Sequence, residues 1–498
     1  MQLLDYELSS VSSTVTSSMA TEPWGETTLG ELAEYITSGS RDWSRYYADS
    51  GAIFIRTQDI NQNRLSLKEV AFVKLPEKVE GKRSLIRKGD LLITITGANV
   101  GKVAVVEGEV PEAYVSQSVC LVRLKDPALA KFVHLQLTAK RGDKTTVEAM
   151  AYGLGRPVLN LENIRSAPIR VAPAIAQVVI VAEIEKQFSR LDEAVANLKR
   201  VKANLKRYKA SVLKATVEGK LTEEWRKQHP NVEPAGKFLE SILAERRAKW
   251  NGRGKYKETP VPDSTTLPPL PKTWTWSSVE TVCSAVVDCP HSTPKWQASG
   301  RVCLRTTEFR PGRLDLSDVR YVSQATYESR IQRLTPREND IVYSREGGIL
   351  GLACMIPARL NPCLGQRMML LRSHALFSPN LLMYWLNSPD LLARVRSLTG
   401  GSASPHLNVG EVKSFPVPVA PIAEQNAIAA EVERRLSVID ELEAAVQASL
   451  TRADHLRQAI LQRAFSGRLL SEKGHAGFSD SYMPLLAAES VSPYGVRS

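Results

Sequence analysis

The one stretch of this chain that looks built for catalysis is Gly97-Ala98-Asn99-Val100-Gly101-Lys102-Val103, a glycine-rich turn carrying a lysine. A phosphate-cradling loop needs four residues between its glycines, and a Ser or Thr after the lysine to reach magnesium. Here three residues separate the glycines and Val103 follows the lysine, so a tight turn between two strands explains them better. No Asp/Asn-Pro-Pro-aromatic tetrapeptide is present to hold the amino group of a flipped base. Neither a Gly-x-Ser-x-Gly nucleophile elbow nor a His-Glu-x-x-His zinc helix occurs. The seven histidines, His134, His291, His374 and His406 among them, are scattered. Cys120, Cys283, Cys289, Cys303, Cys354 and Cys363 form no Cys-x-x-Cys pair and read as buried, reduced thiols.

The sequence therefore points to binding rather than chemistry. Lys and Arg total 65 against 53 Asp and Glu, a net charge of +12 and a pI near 9.3, which favours a polyanionic partner. No run approaches the ~18 apolar residues that a membrane span requires. Residues 1–23, rich in Ser and Thr, read as a disordered leader without the features of a signal peptide, and the expected location is the cytoplasm.

The elements that would carry such binding come twice. Leu159-Asn160 returns as Leu407-Asn408, an offset of 248, and the same offset carries Pro168 onto Pro416, Gln177 onto Gln425, Asp192 onto Asp440 and Gly219 onto Gly467. Upstream it drifts by one or two residues, as loops allow: Arg56-Thr57 falls on Arg305-Thr306, Asp90 on Asp340, Gly101 on Gly351 and Trp24 on Trp274. A period this long and this regular is a tandem duplication.

Each copy begins with short apolar runs separated by Gly, Asp, Asn and Pro, such as Ala52 to Ile55 and Leu91 to Ile95, which predict strands. The expected class is α+β, with mainly antiparallel or mixed sheets over 24–173 and 273–421. Each copy ends in a helix, over 174–221 and 422–470, that lacks Gly and Pro for some forty residues, on the order of 60 Å. Apolar residues recur in steps of three and four, among them Phe188, Leu191, Val195 and Leu198 in the first helix and Leu436, Ile439, Val446 and Leu450 in the second. That spacing predicts a coiled-coil seam. From Gln177 to Glu218 there are nine basic and five acidic residues, against five and six from Gln425 to Ser466, which favours pairing of the two helices with each other. Residues 222–272 predict a short basic helix followed by a Pro-rich, semi-rigid spacer, and 471–498 a C-terminal tail.

In this order, twice over, the segments resemble the specificity subunit of a Type I restriction-modification system. The matching stretches are Phe54 to Ile60, Lys88 to Ile93, Gly97 to Val106, Pro416 to Pro421 with Glu424-Gln425, and Ala464 to Leu469. The first copy departs where Ala176 replaces Glu424, and where Thr216-Val217-Glu218 replaces Ala464-Phe465-Ser466. The resemblance implies two target-recognition domains, each reading half of a split sequence in double-stranded DNA. Their helices would pair as an antiparallel coiled coil that spaces the half-sites and docks two methylation subunits. It further implies a chain without catalysis or metal of its own: S-adenosylmethionine, ATP and Mg belong to the methylation and motor/restriction subunits. A stand-alone duplicated DNA-binding regulator is the alternative. Base edges call for Arg, Lys, Asn and Gln on loops. The candidates in the first domain are Arg41, Arg45, Tyr46, Arg56, Gln58, Asn99 and Lys102, and in the second Lys295, Trp296, Arg305, Arg345 and Arg367. Arg56 and Arg305 recur between copies, which favours a shared scaffold role for that pair.

Overall fold

A computed structural model describes residues 24–471 apart from 78–80, 154, 156, 253, 264, 266 and 401–404, so the expected leader and all but the start of the tail lie outside the described residues. In it the apolar runs form strands whose side chains alternate between two cores. In the first copy, strands Ala33–Ser38, Val119–Leu124, Leu91–Thr94 and Val103–Val105 make one antiparallel sheet, in that order. Leu91, Ile93, Cys120 and Val122 face one core, while Leu92, Ala104, Val119 and Leu121 face the other. That is the period-two geometry of a strand buried on both sides. A second sheet, Ala113–Val115, Ala52–Ile55, Ala71–Val73 and Tyr47–Ala48, covers the latter core and includes one parallel pair.

The second copy repeats this plan. Strands Cys283–Asp288, Met368–Ser373, Ile341–Ser344 and Ala353–Met355 form the antiparallel sheet, and Arg320–Val322, Arg301–Leu304 and Cys363–Leu364 the mixed one. Ile341, Tyr343, Met369 and Leu371 face one core, and Val342, Cys354, Met368 and Leu370 the other. An antiparallel ribbon closes each copy, pairing Gly25–Thr28 with Pro168–Val171 and Thr275–Ser278 with Pro416–Val419. The fold is the expected α+β with mainly antiparallel and mixed sheets.

Two 44-residue helices, Ala174–Val217 and Ile422–Phe465, follow the ribbons. The described residues fall into two compact units, one running up to Lys199 and resuming at Gln447, the other Arg200–Val446, so both helices contribute to both units. In the first unit Ile180 and Ile184 share a core with Ile460, Leu461 and Phe465, which means the helices run antiparallel. In the second, Leu213 and Val217 share a core with Ile428 and Val432, the same contacts with the two helices exchanged. The ion pairs repeat the exchange: Asp192 meets Arg457 in the first unit and Asp440 meets Lys209 at 2.7 Å in the second. Val432, Ile439, Val446, Ala453 and Ile460 are all buried at intervals of seven, the period of a coiled-coil seam.

One expectation changes. Residues 222–272 do not form a free spacer. Helix Ala235–Ala248 buries Ala235, Phe238, Leu239 and Ile242 in the core of the second copy. Trp276 donates to the Pro268 carbonyl at 3.3 Å, and Thr281 to the Thr259 hydroxyl at 2.8 Å. An amphipathic helix next to an open apolar face is held there by the burial of those side chains, whatever its Pro-rich sequel prefers. The glycine segment turns tightly between strands Leu91–Thr94 and Val103–Val105, as expected: the Val100 amide donates to the Gly97 carbonyl at 3.2 Å and the Lys102 amide to the Asn99 carbonyl at 3.1 Å, with Gly97 and Gly101 at φ of 92° and 84°.

Candidate nucleic-acid interface

Hydrogen bonds gather the strand ends of the first copy into one rim. The Gly39 amide donates to the Ser116 carbonyl at 3.3 Å, Ser116 to Ile55 at 2.9 Å, and Ile95 to Ser118 at 2.9 Å. The segments carrying Arg41, Arg45, Arg56, Gln58, Asn99 and Lys102 thereby meet around the turn at 116–118. In the second copy Gly365 donates to Leu304 at 2.8 Å, Arg345 to Arg367 at 3.1 Å, and Leu407 to Arg345 at 2.8 Å, which builds the matching rim.

Within these rims the candidate residues separate into two kinds. Some spend their polar groups on the protein. Arg56 binds Asp59 through its amide and guanidinium at 2.7 and 3.2 Å and reaches the Glu69 carbonyl at 2.8 Å. Arg305 does the same with Glu308 and the Asp318 carbonyl, so the two are one framework contact made twice. Asn99 donates to the Thr57 carbonyl at 3.2 Å, and Lys102 pairs with Glu148 at 3.0 Å. Arg345 is 6% exposed; it pairs with Asp288 at 2.9 Å and Glu346 at 2.9 Å and donates to the Leu407 carbonyl at 2.9 Å. An arginine so engaged orders the loops around it rather than offering donors to a ligand. Trp296 lies half-buried against Val322 and Tyr327, with the Arg320 guanidinium over its ring at 5.5 Å. Tyr46 is half-buried beside Trp43, Phe54 and Tyr114.

The rest face solvent. Arg41, Gln58, Lys295 and Arg367 are exposed and have no side-chain partner among the described residues. Arg45 is exposed, its guanidinium 4.9 Å from the Tyr46 ring centre. Arg367 holds φ of 70°, a left-handed conformation that a residue with a Cβ adopts at a cost, and its side chain lies beside Gly347.

Several framework residues escape a reading of the sequence. Asp288, which anchors Arg345, lies 57 positions away and has no counterpart in the first copy. Arg330, buried, ties the Leu364 carbonyl to that of Ser292. Arg123 grips Asp90 with two bonds at 2.9 and 2.7 Å, and Arg372 grips Asp340 with two at 2.7 Å. The recurrence of Asp90 as Asp340 was the signal that could have exposed this pair.

The eight seam positions of the helices also serve the chain itself. Leu191, Ile439 and Val446 are buried, and Val195, Leu198, Leu436 and Leu450 half-buried. Phe188 lies beneath the Arg457 guanidinium, 4.2 Å from its ring centre. The departure at Ala176 and Glu424 has a physical basis at the helix starts. Glu424 is fully buried and accepts bonds from Thr222, Arg226 and the Trp274 indole at 2.6, 2.5 and 2.7 Å. At the corresponding place in the first unit Trp24 packs edge-on to Phe465, with Arg170 over its ring at 5.2 Å, and no carboxylate is needed.

All six cysteines are buried, and burial pushes the Cys120 and Cys354 thiols up to about 12. Among the described residues there is no group of three or more metal-ligating side chains, and no helix long and apolar enough to cross a membrane.

Comparison with known proteins agrees with this geometry. Residues 21–207 match the family model of the Type I restriction modification DNA specificity domain. The chain is 23% identical to the Type I restriction enzyme EcoKI specificity subunit of Escherichia coli K12 over 460 residues, covering 89% of this chain and 88% of that one. With the EcoDI specificity subunit of E. coli it is 23% identical over 343 residues, or 67% and 69% of the two chains. A solved chain from work on assembly and conformational transition of the type I R-M system shares the fold. Its TM-score is 0.54 at 18% identity, over 90% of this chain and 98% of that one. With its two copies of one fold and its paired helices, the chain is similar to the DNA-specificity subunits of Type I restriction-modification systems.

Proposed function

We propose that the chain is the non-catalytic reader of such a complex. Each rim takes one half of a bipartite site in double-stranded DNA, and the outward faces of the helices carry two methylation subunits. Those subunits would bind S-adenosylmethionine and methylate adenine, and a motor/restriction subunit would supply the ATP- and Mg-dependent step, all in the cytoplasm. The observation that carries this reading is the duplicated framework with unlike free donors on it. Arg56 and Arg305 make the same contacts. The exposed side chains around them differ, with Arg41, Arg45 and Gln58 on one rim and Lys295 and Arg367 on the other. A shared scaffold with different donors is what two unlike half-sites require, because base edges are told apart by donor pattern.

Purifying the chain alone and together with the products of neighbouring genes tests this. The assembly should bind one bipartite duplex and transfer methyl groups to adenine, and the chain alone should transfer none. Methyl transfer, cleavage or ATP hydrolysis by the isolated chain, lost on mutating its own residues, would refute the non-catalytic role. Site-specific binding with no co-purifying methylation subunit would favour a stand-alone regulator.

A further inference from the structure

One side chain on the first rim stands apart from every residue considered so far. Tyr152 is 54% exposed, and its hydroxyl has no partner among the described residues. Its backbone, by contrast, is pinned. The Tyr152 amide donates to the Val158 carbonyl at 3.0 Å, and the Val158 amide returns a bond to Tyr152 at 2.8 Å. Val158 in turn pairs with Thr96, so Thr96, Val158 and Tyr152 stand abreast as three rungs of a short ladder. Residues directly opposite in an antiparallel pairing send their side chains to the same face, and Thr96 immediately precedes Gly97 of the rim loop.

The approach to Tyr152 is equally fixed. Helix Thr146–Ala149 is held by a capping box between Thr145 and Glu148, and Val147 is buried. Glu148 also binds Lys102 of the rim loop at 3.0 Å. Beyond Tyr152 the chain turns away at once through Gly153 at φ 100°. A rigid support therefore lifts a phenol, ring and free hydroxyl together, onto the rim. The second copy has Gly400 at the corresponding position, 248 residues on, so the feature belongs to one reader only.

We infer that Tyr152 contacts DNA at the half-site read by the first domain, its hydroxyl donating to a backbone phosphate and its ring covering the adjacent sugar. Tyrosine is a common phosphate donor, and such contacts set register on the duplex. The inference rests on the proposed reading of the chain as a DNA-specificity subunit. The test uses the full chain assembled with its methylation subunits, and a duplex carrying the motif found by sequencing modified adenines. Dissociation constants are measured at one salt concentration for the intact duplex and for duplexes with either half scrambled. One hydrogen bond corresponds to roughly fivefold in affinity, so Tyr152→Phe should weaken the intact duplex by about that factor. Tyr152→Ala, which also removes the ring, should weaken it by roughly tenfold or more. The penalty should persist on one half-scrambled duplex and vanish on the other. Binding of Tyr152→Ala within twofold of wild type on the intact duplex, or equal loss on all three duplexes, would overturn the inference. A wild-type complex that shows no preference for the intact duplex would instead overturn the specificity reading beneath it.

Discussion

Arg345 and Arg367 are bonded neighbours in the second rim, and the structure predicts opposite consequences for removing them. Arg345→Ala strands the Asp288 carboxylate and the Leu407 carbonyl in a site where the guanidinium is 7% and Asp288 16% exposed. Breaking a buried pair by deleting one partner costs about 3–5 kcal/mol. For a unit of this size that lowers the melting temperature by roughly 10 °C. Arg367 has no partner to strand, and its φ of 70° suits glycine better than any residue with a Cβ. Arg367→Gly should therefore leave stability unchanged or raise it by up to about 1 kcal/mol. If its guanidinium reads a base edge, the same substitution should cost about 1–3 kcal/mol of binding, roughly tenfold to a hundredfold, with selectivity relaxed at one position of one half-site. The assay is calorimetric melting of each variant beside competition binding on the intact duplex. A destabilised Arg367→Gly, unchanged binding by that variant, or a wild-type melting temperature for Arg345→Ala would refute the division into framework and reader.

Two further outcomes follow from buried polar groups. Glu424→Ala leaves the half-buried Arg226 and the Trp274 indole without their acceptor, and should destabilise the second unit by about 3 kcal/mol. Hydrogen exchange should then rise at the start of the second long helix, and an unchanged exchange rate there would contradict the assignment. His134 is half-buried with Nε2 at 3.0 and 3.1 Å from the Asn63 and Val103 carbonyls. Burial holds its pKa below the ordinary value, outweighing the carbonyls that favour the charged form. The unfolded chain therefore binds the extra proton first: the stability from neutral His134 is present above about pH 6.5 and is lost as pH falls below it. Chemical denaturation of wild type and His134→Gln between pH 7.5 and 5 should show the steeper acid loss in wild type. Parallel curves would show that the imidazole is not the cause.

What was legible in the sequence follows from what each element tolerates. The long helices cannot accept an insertion without moving their seam, so one offset of 248 runs through them and the seven-residue spacing of Val432, Ile439 and Val446 can be read directly. Strands buried on both faces show as unbroken apolar runs such as Leu91 to Ile93. Loop positions were legible as a set but not by role. Whether an arginine is framework or reader depends on a distant acid, as Asp288 is for Arg345, and local sequence carries no trace of it. Arg56 and Arg305 could be read as scaffold because both they and their acceptors recur. The connector misled because its Pro-rich half spoke for extension, while Phe238, Leu239 and Ile242 already formed a one-sided apolar stripe seeking a core.

The central claim is that each copy of the fold reads its own half of the target, and exchanging one copy tests it most directly. Residues 24–173 would be replaced by the equivalent domain of a relative with a different known motif, and modified adenines mapped across the genome of a strain expressing the hybrid. The account predicts a new motif in which one half changes to the donor's and the other half stays as it was. A motif altered in both halves, or unaltered in either, would contradict it.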